Sequence, residues 1–374
     1  MPDASASFDV PVRSRQRVWA EIDAAAISAN TRRLAAAAPR SACCAVVKAD
    51  GYGHGAVTAA RAALAGGATW LAVVTADEAQ QLRAAGIDAR LLVLGPLTPA
   101  ELDRVLAADA DLVAWTDELL DAAIARGGAR VHVKLDTGMG RLGARDAETA
   151  TALARRCIDE PSLTLAGAMT HFATADELGD RYFAVQLERF AAWTATMRDL
   201  APGAVIHAAN SAAILRASAA HFDLIRPGVG LYGLDPFGAG PDGRELRPAL
   251  SLRATLAAVQ PIRAGQSTGY GRRWIAERDG WLGIVPIGYG DGWRRGLTNR
   301  ADALIGGRRY PLVGTVSMDS VAVDLGSEQL APGLPVTLIG SDGEQRIVVE
   351  ELARALGTIN YEITCGLGPR IPRR

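Results

Sequence analysis

Lys48 lies in the stretch Ala45 to Gly55, AVVKADGYGHG, where a run of small apolar residues delivers a primary amine to a loop of Gly, Tyr and His. An amine at the end of a buried strand is desolvated, which lowers its pKa and frees it to attack a carbonyl and form a Schiff base. A strand-end lysine also serves as a plain solvated charge, and spacing alone leaves both readings open. Other polar residues follow short apolar runs in the same way: Lys134 and Asp136, His171, Asn210 with Ser211, and Arg226. Each has a structural alternative, Lys134 as a surface charge, His171 as a hydrogen-bonded core residue and Arg226 as a partner for Asp223. Asn210 and Ser211 open a helix directly after a strand, where free N–H groups and the helix dipole favour an anion. The stretch Arg226 to Gly233, RPGVGLYG, adds Gly228, which has no side chain to obstruct a phosphate. A Schiff-base lysine beside two anion-friendly elements points to pyridoxal 5'-phosphate as cofactor. The competing reading of those elements is an N-cap followed by a tight turn.

These residues need a scaffold that brings their strand ends together. Apolar runs recur at Cys43–Val47, Trp70–Val74, Leu91–Leu94, Leu112–Trp115, Val131–Leu135, Leu163–Met169, Val205–Ala208 and Phe222–Ile225, with helical spacing between them. Strands apolar on both faces and alternating with helices pair in parallel under a helical cover. Eight such units predict an α/β fold, a (β/α)8 TIM barrel, whose active residues gather at the C-terminal strand ends. A doubly wound open sheet is the alternative, and no G-x-G-x-x-G follows the first strand.

After Gly233 the texture changes to Gly and Pro, and the runs beyond it are β-type, from Leu250–Gln260 to Gln345–Val348, with one helical stretch at Val349–Leu356. The expected organisation is a mobile leader over 1–16, a barrel over 17–240 whose first strand, 17–23, can pack with the following domain, and a mainly β C-terminal domain over 241–374. The 40 Lys and Arg residues nearly cancel the 41 Asp and Glu, which leaves no electrostatic footprint for nucleic acid or an anionic membrane. No apolar run approaches the ~18 residues of a membrane-spanning helix, and the N-terminus is unlike a secretory signal, so a cytoplasmic location is expected. The four cysteines, at 43, 44, 157 and 365, have no metal-ligand spacing and read as reduced, packed residues.

From Val18 to Arg373 the chain resembles the alanine racemase family. AVVKADGYGHG is similar to the family's cofactor-lysine motif, and VHVKLDTGMGRLG, THFATADE, HAANSAA, RPGVGLYG, GYGRRW, PIGYGDGW, SMD and INYEITCGLGPRIPR follow in the family's order. The resemblance implies that Lys48 holds pyridoxal phosphate and acts as a base on one face of the substrate Cα. It implies a second base on the opposite face, Tyr270, contributed by the other subunit of a homodimer with shared active sites. His171 and Arg226 would support that tyrosine, with Arg226 facing the pyridine nitrogen. Tyr52, Ser211, Gly228 and Tyr361 would bind phosphate beside Asn210. Arg141 and the backbone N–H of Met318 would take the substrate carboxylate, and Lys134 matches a lysine often carbamylated in the family. Asp176, Tyr289 and Arg295 match positions along the substrate entrance. Two departures are visible: Thr315 stands where many relatives carry arginine, and Gly51 where alanine is usual.

The function so implied is interconversion of L- and D-alanine by two bases, supplying D-alanine for peptidoglycan. The alternatives are a pyridoxal-phosphate-dependent amino-acid decarboxylase of the same barrel class, a racemase of serine or broad specificity, and a non-catalytic cofactor carrier.

Overall fold

A computed structural model describes residues 16–374, so the leader expected over 1–16 lies, but for Gln16, outside the described residues. The chain divides into two compact units, one of Ala24–Ala249 and one that joins the residues up to Asp23 to Leu250–Arg374.

Strand β1, Val18–Ile22, belongs to the second unit; the eight strands that follow form the first. They are β2 (Ala42–Val46), β3 (Trp70–Val73), β4 (Arg90–Val93), β5 (Asp111–Ala114), β6 (Ala129–Lys134), β7 (Leu163–Met169), β8 (Val205–His207) and β9 (Leu224–Ile225). All pair in parallel, and β9 pairs back onto β2 at Ala42–Leu224 and Cys43–Ile225, closing the barrel. That closure excludes the open-sheet alternative. The strands are short and apolar because both faces are covered: β3 and β5 are buried along their whole length. Helix starts are written in the sequence. Thr75 with Glu78, and Thr98 with Glu101, form reciprocal capping boxes, while Asp146 and Asn210 cap the helices Ala147–Asp159 and Ser211–Arg216. The helix Ala56–Ala65 buries Ala56, Ala59, Ala60, Ala62 and Ala63, small residues that let it lie close to its neighbours. Between β6 and β7 the register shifts at Val131/His132, opposite Gly167.

The second unit is an antiparallel sheet in the order β1, β10 (Leu250–Thr255), β16 (Pro335–Asp342), β13 (Asp302–Ile305), β14 (Arg308–Val313), β15 (Val321–Gly326), β12 (Gly280–Val285) and β11 (Ala258–Ile262), with β17 (Gln345–Ile347) paired to β16. The β-type run over Leu250–Gln260 forms two strands, β10 and β11, in different parts of the sheet. Ile262, Ala276, Leu282, Val313 and Ala322 form one buried cluster, flanked by Trp274 and Ile284. Cys43, Cys44 and Cys157 are buried thiols, but Cys365 is exposed, on a helix end rather than packed in a core. Among the described residues no helix is long and apolar enough to cross a membrane.

Candidate active site

Lys48 follows β2 directly, and the chain then makes an unusual turn: Ala49, Asp50, Gly51 and Tyr52 all take left-handed φ values of 52°, 51°, 60° and 53°. L-residues avoid this region because Cβ crowds the following carbonyl, so the run must be held from outside. Two carboxylates do so. Glu78 accepts from Ala49 N at 2.6 Å and from Val74 N at 2.8 Å, while Asp50 Oδ1 accepts from Ala56 N at 2.9 Å. Gly51 sits in the middle of the run, where a Cβ would lie 3.0 Å from that of Ala59.

The turn ends on Tyr52, a buried ring stacked on Tyr232 at 5.0 Å between centroids; Tyr232 in turn donates to Val46 O. Gly228 approaches the Tyr52 hydroxyl so closely that a Cβ there would stand 2.5 Å from it. Ser211 Oγ accepts from the backbone N–H groups of Gly228 at 2.9 Å and Gly230 at 3.1 Å, tying the loop after β9 to the helix that Asn210 caps. Tyr52, Asn210, Ser211 and Gly228 are thereby brought into one cradle. Asp223 pairs with Arg198, so Arg226 is not its partner.

Arg226 is buried, and its guanidinium donates to the carbonyls of Thr170 (2.9 Å) and Ala208 (3.0 Å), to His207 Nδ1 (2.8 Å) and, more distantly, to His171 Nδ1 (3.4 Å). Burial lowers its pKa to about 10. Lys134, at the end of β6, is also buried, and its pKa falls to about 8, first through desolvation and then through Arg226 and Arg141, against the pull of Asp136. His171 is held neutral by desolvation and by the charges of Arg226, Lys134, Arg141 and Lys48. Lys48, Lys134, Arg141, His171 and Arg226 thus share one electrostatic field. Asp136 accepts from Gly138 N, Gly140 N and Arg145, which folds the loop that carries Arg141. Asp176 lies exposed in the loop after β7.

In the second unit Tyr270 occupies a tight turn and is 72% exposed, with Met318 at 52% and Tyr289 at 43%. The Thr315 hydroxyl donates to the Tyr270 carbonyl at 2.6 Å, a contact that an arginine at 315 would not reproduce. The Tyr289 and Met318 segments are tied together, Tyr289 N donating to Ser317 O and Gly290 N to Met318 O. Buried Asp291 anchors this turn by accepting from Gly288 N, Arg17 and Arg370. Arg295 is exposed, and Tyr361 is half-buried on the short helix Asn360–Cys365.

Three buried polar residues beneath the rim were not singled out from sequence: Asp111, His132 and His207. His207 opens the HAANSAA motif, and His132 stands two residues before Lys134 on the same strand face, which is the one local signal they carry.

The family model for the alanine racemase N-terminal domain matches residues 22–236, and that for the C-terminal domain matches 249–374. The alanine racemase of Thermobifida fusca is 44% identical, with 95% of this chain and 96% of that protein aligned. The crystal structure of the alanine racemase from Streptomyces lavendulae superposes with a TM-score of 0.91 at 39% identity, covering 96% of each chain. That from Bartonella henselae, solved with covalently bound pyridoxal phosphate, superposes at 0.85 with 30% identity over 96% of this chain and 99% of that one. With both domain models matched in order and the fold shared along nearly its whole length, the chain belongs to the alanine racemase family.

Proposed function

We propose that this protein interconverts L- and D-alanine as a cytoplasmic, pyridoxal-phosphate-dependent homodimer, supplying D-alanine for peptidoglycan. The observation that carries the reading is the pairing of a strand-end lysine with a glycine cradle on the same barrel rim. The residues present fit the cofactor. Gly228 leaves open the space a Cβ would fill beside the Tyr52 hydroxyl, Ser211 and the Gly228 and Gly230 amides converge next to it, and Lys48 is the amine within the same loop. When bound, pyridoxal phosphate supplies an electron sink for the pair left at the substrate Cα.

Racemisation removes a proton from one face of Cα and returns one to the other, so it needs two bases. Lys48 takes or returns the proton on one face. Tyr270 of the partner subunit serves the other; its exposure in a single chain, together with that of Met318 and Tyr289, supports burial against a second copy. His171, neutral and accepting from Arg226 at Nδ1, carries its hydrogen on Nε2 and would donate it to the oxygen of that tyrosine, favouring the phenolate that acts as the base. Arg226 has donors and no acceptor lone pair, so it would face the ring nitrogen of the bound cofactor without giving up a proton, which would weaken the sink and make the reaction depend on the two placed bases. Arg141 and the Met318 amide orient the substrate carboxylate. Asp176, Tyr289 and Arg295 line the approach and favour a small side chain. Lys134, as a carbamate, would present an anion to Arg141.

The test is exchange and inversion of L-alanine in D2O, run beside L-serine and with CO2 release monitored. Conversion to D-alanine with deuterium at Cα is expected; CO2 release in its place would make the protein a decarboxylase, and a lack of exchange would make it a carrier. Mixing inactive Lys48→Ala and Tyr270→Ala proteins should restore about a quarter of wild-type activity, since half the dimers are then mixed and each has one whole site. No recovery under demonstrated subunit exchange would rule out the shared site.

A further inference from the structure

Arg226 is a buried cation with no carboxylate in contact among the described residues, although a buried charge is costly unless compensated. Its contacts lead down the barrel axis. Arg226 reaches His207 Nδ1 at 2.8 Å, His207 Nε2 reaches His132 Nδ1 at 2.8 Å, and His132 Nε2 reaches Asp111 Oδ2 at 3.1 Å. Asp111, His132 and His207 are each fully buried. Asp111 begins β5, at the opposite end of the strands from Lys48, where Arg90 (2.7 Å) and Arg130 (2.5 Å) also hold it.

The protons in this chain have one arrangement. A guanidinium only donates, so His207 must accept at Nδ1 and carry its hydrogen on Nε2. That hydrogen goes to His132 Nδ1, which leaves the His132 hydrogen on Nε2, facing a carboxylate that only accepts. The donor-only top and the acceptor-only bottom require the same tautomers. Both rings are kept neutral by desolvation and by Arg226, while the hydrogen bonds from His132, Arg90 and Arg130 outweigh burial and hold Asp111 ionised. The backbone makes room for this arrangement: β7 carries an extra residue, Ala166, opposite the Val131–His132 step, and Gly167, which faces His132, has no side chain where a Cβ would collide with the His132 ring. Trp70 meets the edge of that ring, centroids 5.7 Å apart, and fixes its plane.

We infer that Asp111 is the remote counter-charge of Arg226, and that Asp111, His132 and His207 are positioning residues that hold the guanidinium protonated and aimed at the cofactor ring. Every hydrogen in the chain points from Arg226 toward Asp111, so the carboxylate polarises each ring in turn and makes His207 a stronger acceptor. The role rests on the reading of Arg226 given above; the hydrogen-bond order does not.

Long-range 1H–15N NMR of the histidines in the full-length protein, with cofactor bound and after its removal, reads the tautomers directly; only five histidines are present. Both His132 and His207 should carry hydrogen on Nε2 alone. A hydrogen on Nδ1 of either ring at neutral pH would overturn the inference. Asp111→Asn keeps an oxygen for His132 and removes the charge; kcat for alanine should fall about tenfold or more with KM little changed, the size of loss seen when groups that orient a site residue are removed. Unchanged kcat would show that the charge is not used, and parallel loss of kcat, KM and thermal stability would reduce the chain to a packing element. If Asp111→Asn does not fold, His132→Asn cuts the chain while leaving the carboxylate with its arginines, and the same split is expected. Should the wild-type protein fail to racemise alanine, the proposed function falls while the tautomers still decide the chain.

Discussion

Replacing Lys134 by Met should stabilise the protein at neutral pH in buffer depleted of CO2. The lysine is 5% exposed and titrates at about 8 in the fold, against an ordinary value of 10.5. A lysine whose folded pKa is depressed destabilises the fold in full below the folded value, and the cost lifts as pH rises toward the unfolded value. The difference corresponds to about 3 kcal/mol at pH 7 and less than about 1 kcal/mol at pH 10. Met fills similar volume without a charge, so the melting temperature of Lys134→Met should exceed that of wild type by about 5 °C or more at pH 7, with the gap nearly closed at pH 10. Bicarbonate should reverse the sign. About a tenth of the Lys134 amine is neutral at pH 7, far more than for an ordinary lysine, and a neutral amine adds CO2 with loss of a proton. The carbamate replaces a fourth cation beside Lys48, Arg141 and Arg226 with an anion, which should stabilise wild type and give a 13C signal that Lys134→Met lacks. Equal melting temperatures for the two proteins at pH 7 without CO2 would refute the reasoning, because the desolvated ammonium would then carry no cost.

Gly228→Ala places a methyl against the Tyr52 hydroxyl and should weaken pyridoxal phosphate binding by about tenfold, read by absorbance titration, with little change in cofactor-free melting, since overpacking of this kind costs about 1–3 kcal/mol where it cannot relax. Thr315→Val removes the hydroxyl that holds the Tyr270 carbonyl. Turnover should drop roughly fivefold, the worth of one ordinary hydrogen bond, while cofactor affinity stays constant. Asp291→Ala should cost about 2 kcal/mol, less than a fully buried pair, because Arg17 and Arg370 are partly exposed and can rehydrate; denaturant melts of the full chain check this.

The barrel was legible because its signal is local and repeated. Each strand is an apolar run, and Lys48, Lys134, His171 and Arg226 each mark the polar residue at its end. What was not legible depends on closure. His132 and His207 are 75 residues apart and meet only because β6 and β8 flank β7 in a ring, so no spacing in the chain predicts their contact. Asp111 reads in sequence as a charged strand start of the sort that faces solvent. β1 was hard to assign for the same reason: its partner is β10, more than two hundred residues away, and its five residues look like any other short strand. Thr315 was visible as a departure from relatives, but its bond to Tyr270 O required coordinates.

The turn after Lys48 has a chirality of its own. Ala49, Asp50 and Tyr52 adopt the mirror image of the helical backbone, each at a cost of about 1–2 kcal/mol for an L-residue and at none for its D-enantiomer. A chain assembled by chemical ligation with D-alanine at position 49 would therefore hold the same loop more readily than the ribosomal product. In a protein proposed to make D-alanine, the reactive amine is carried on a segment whose backbone would itself accept that product as a building block.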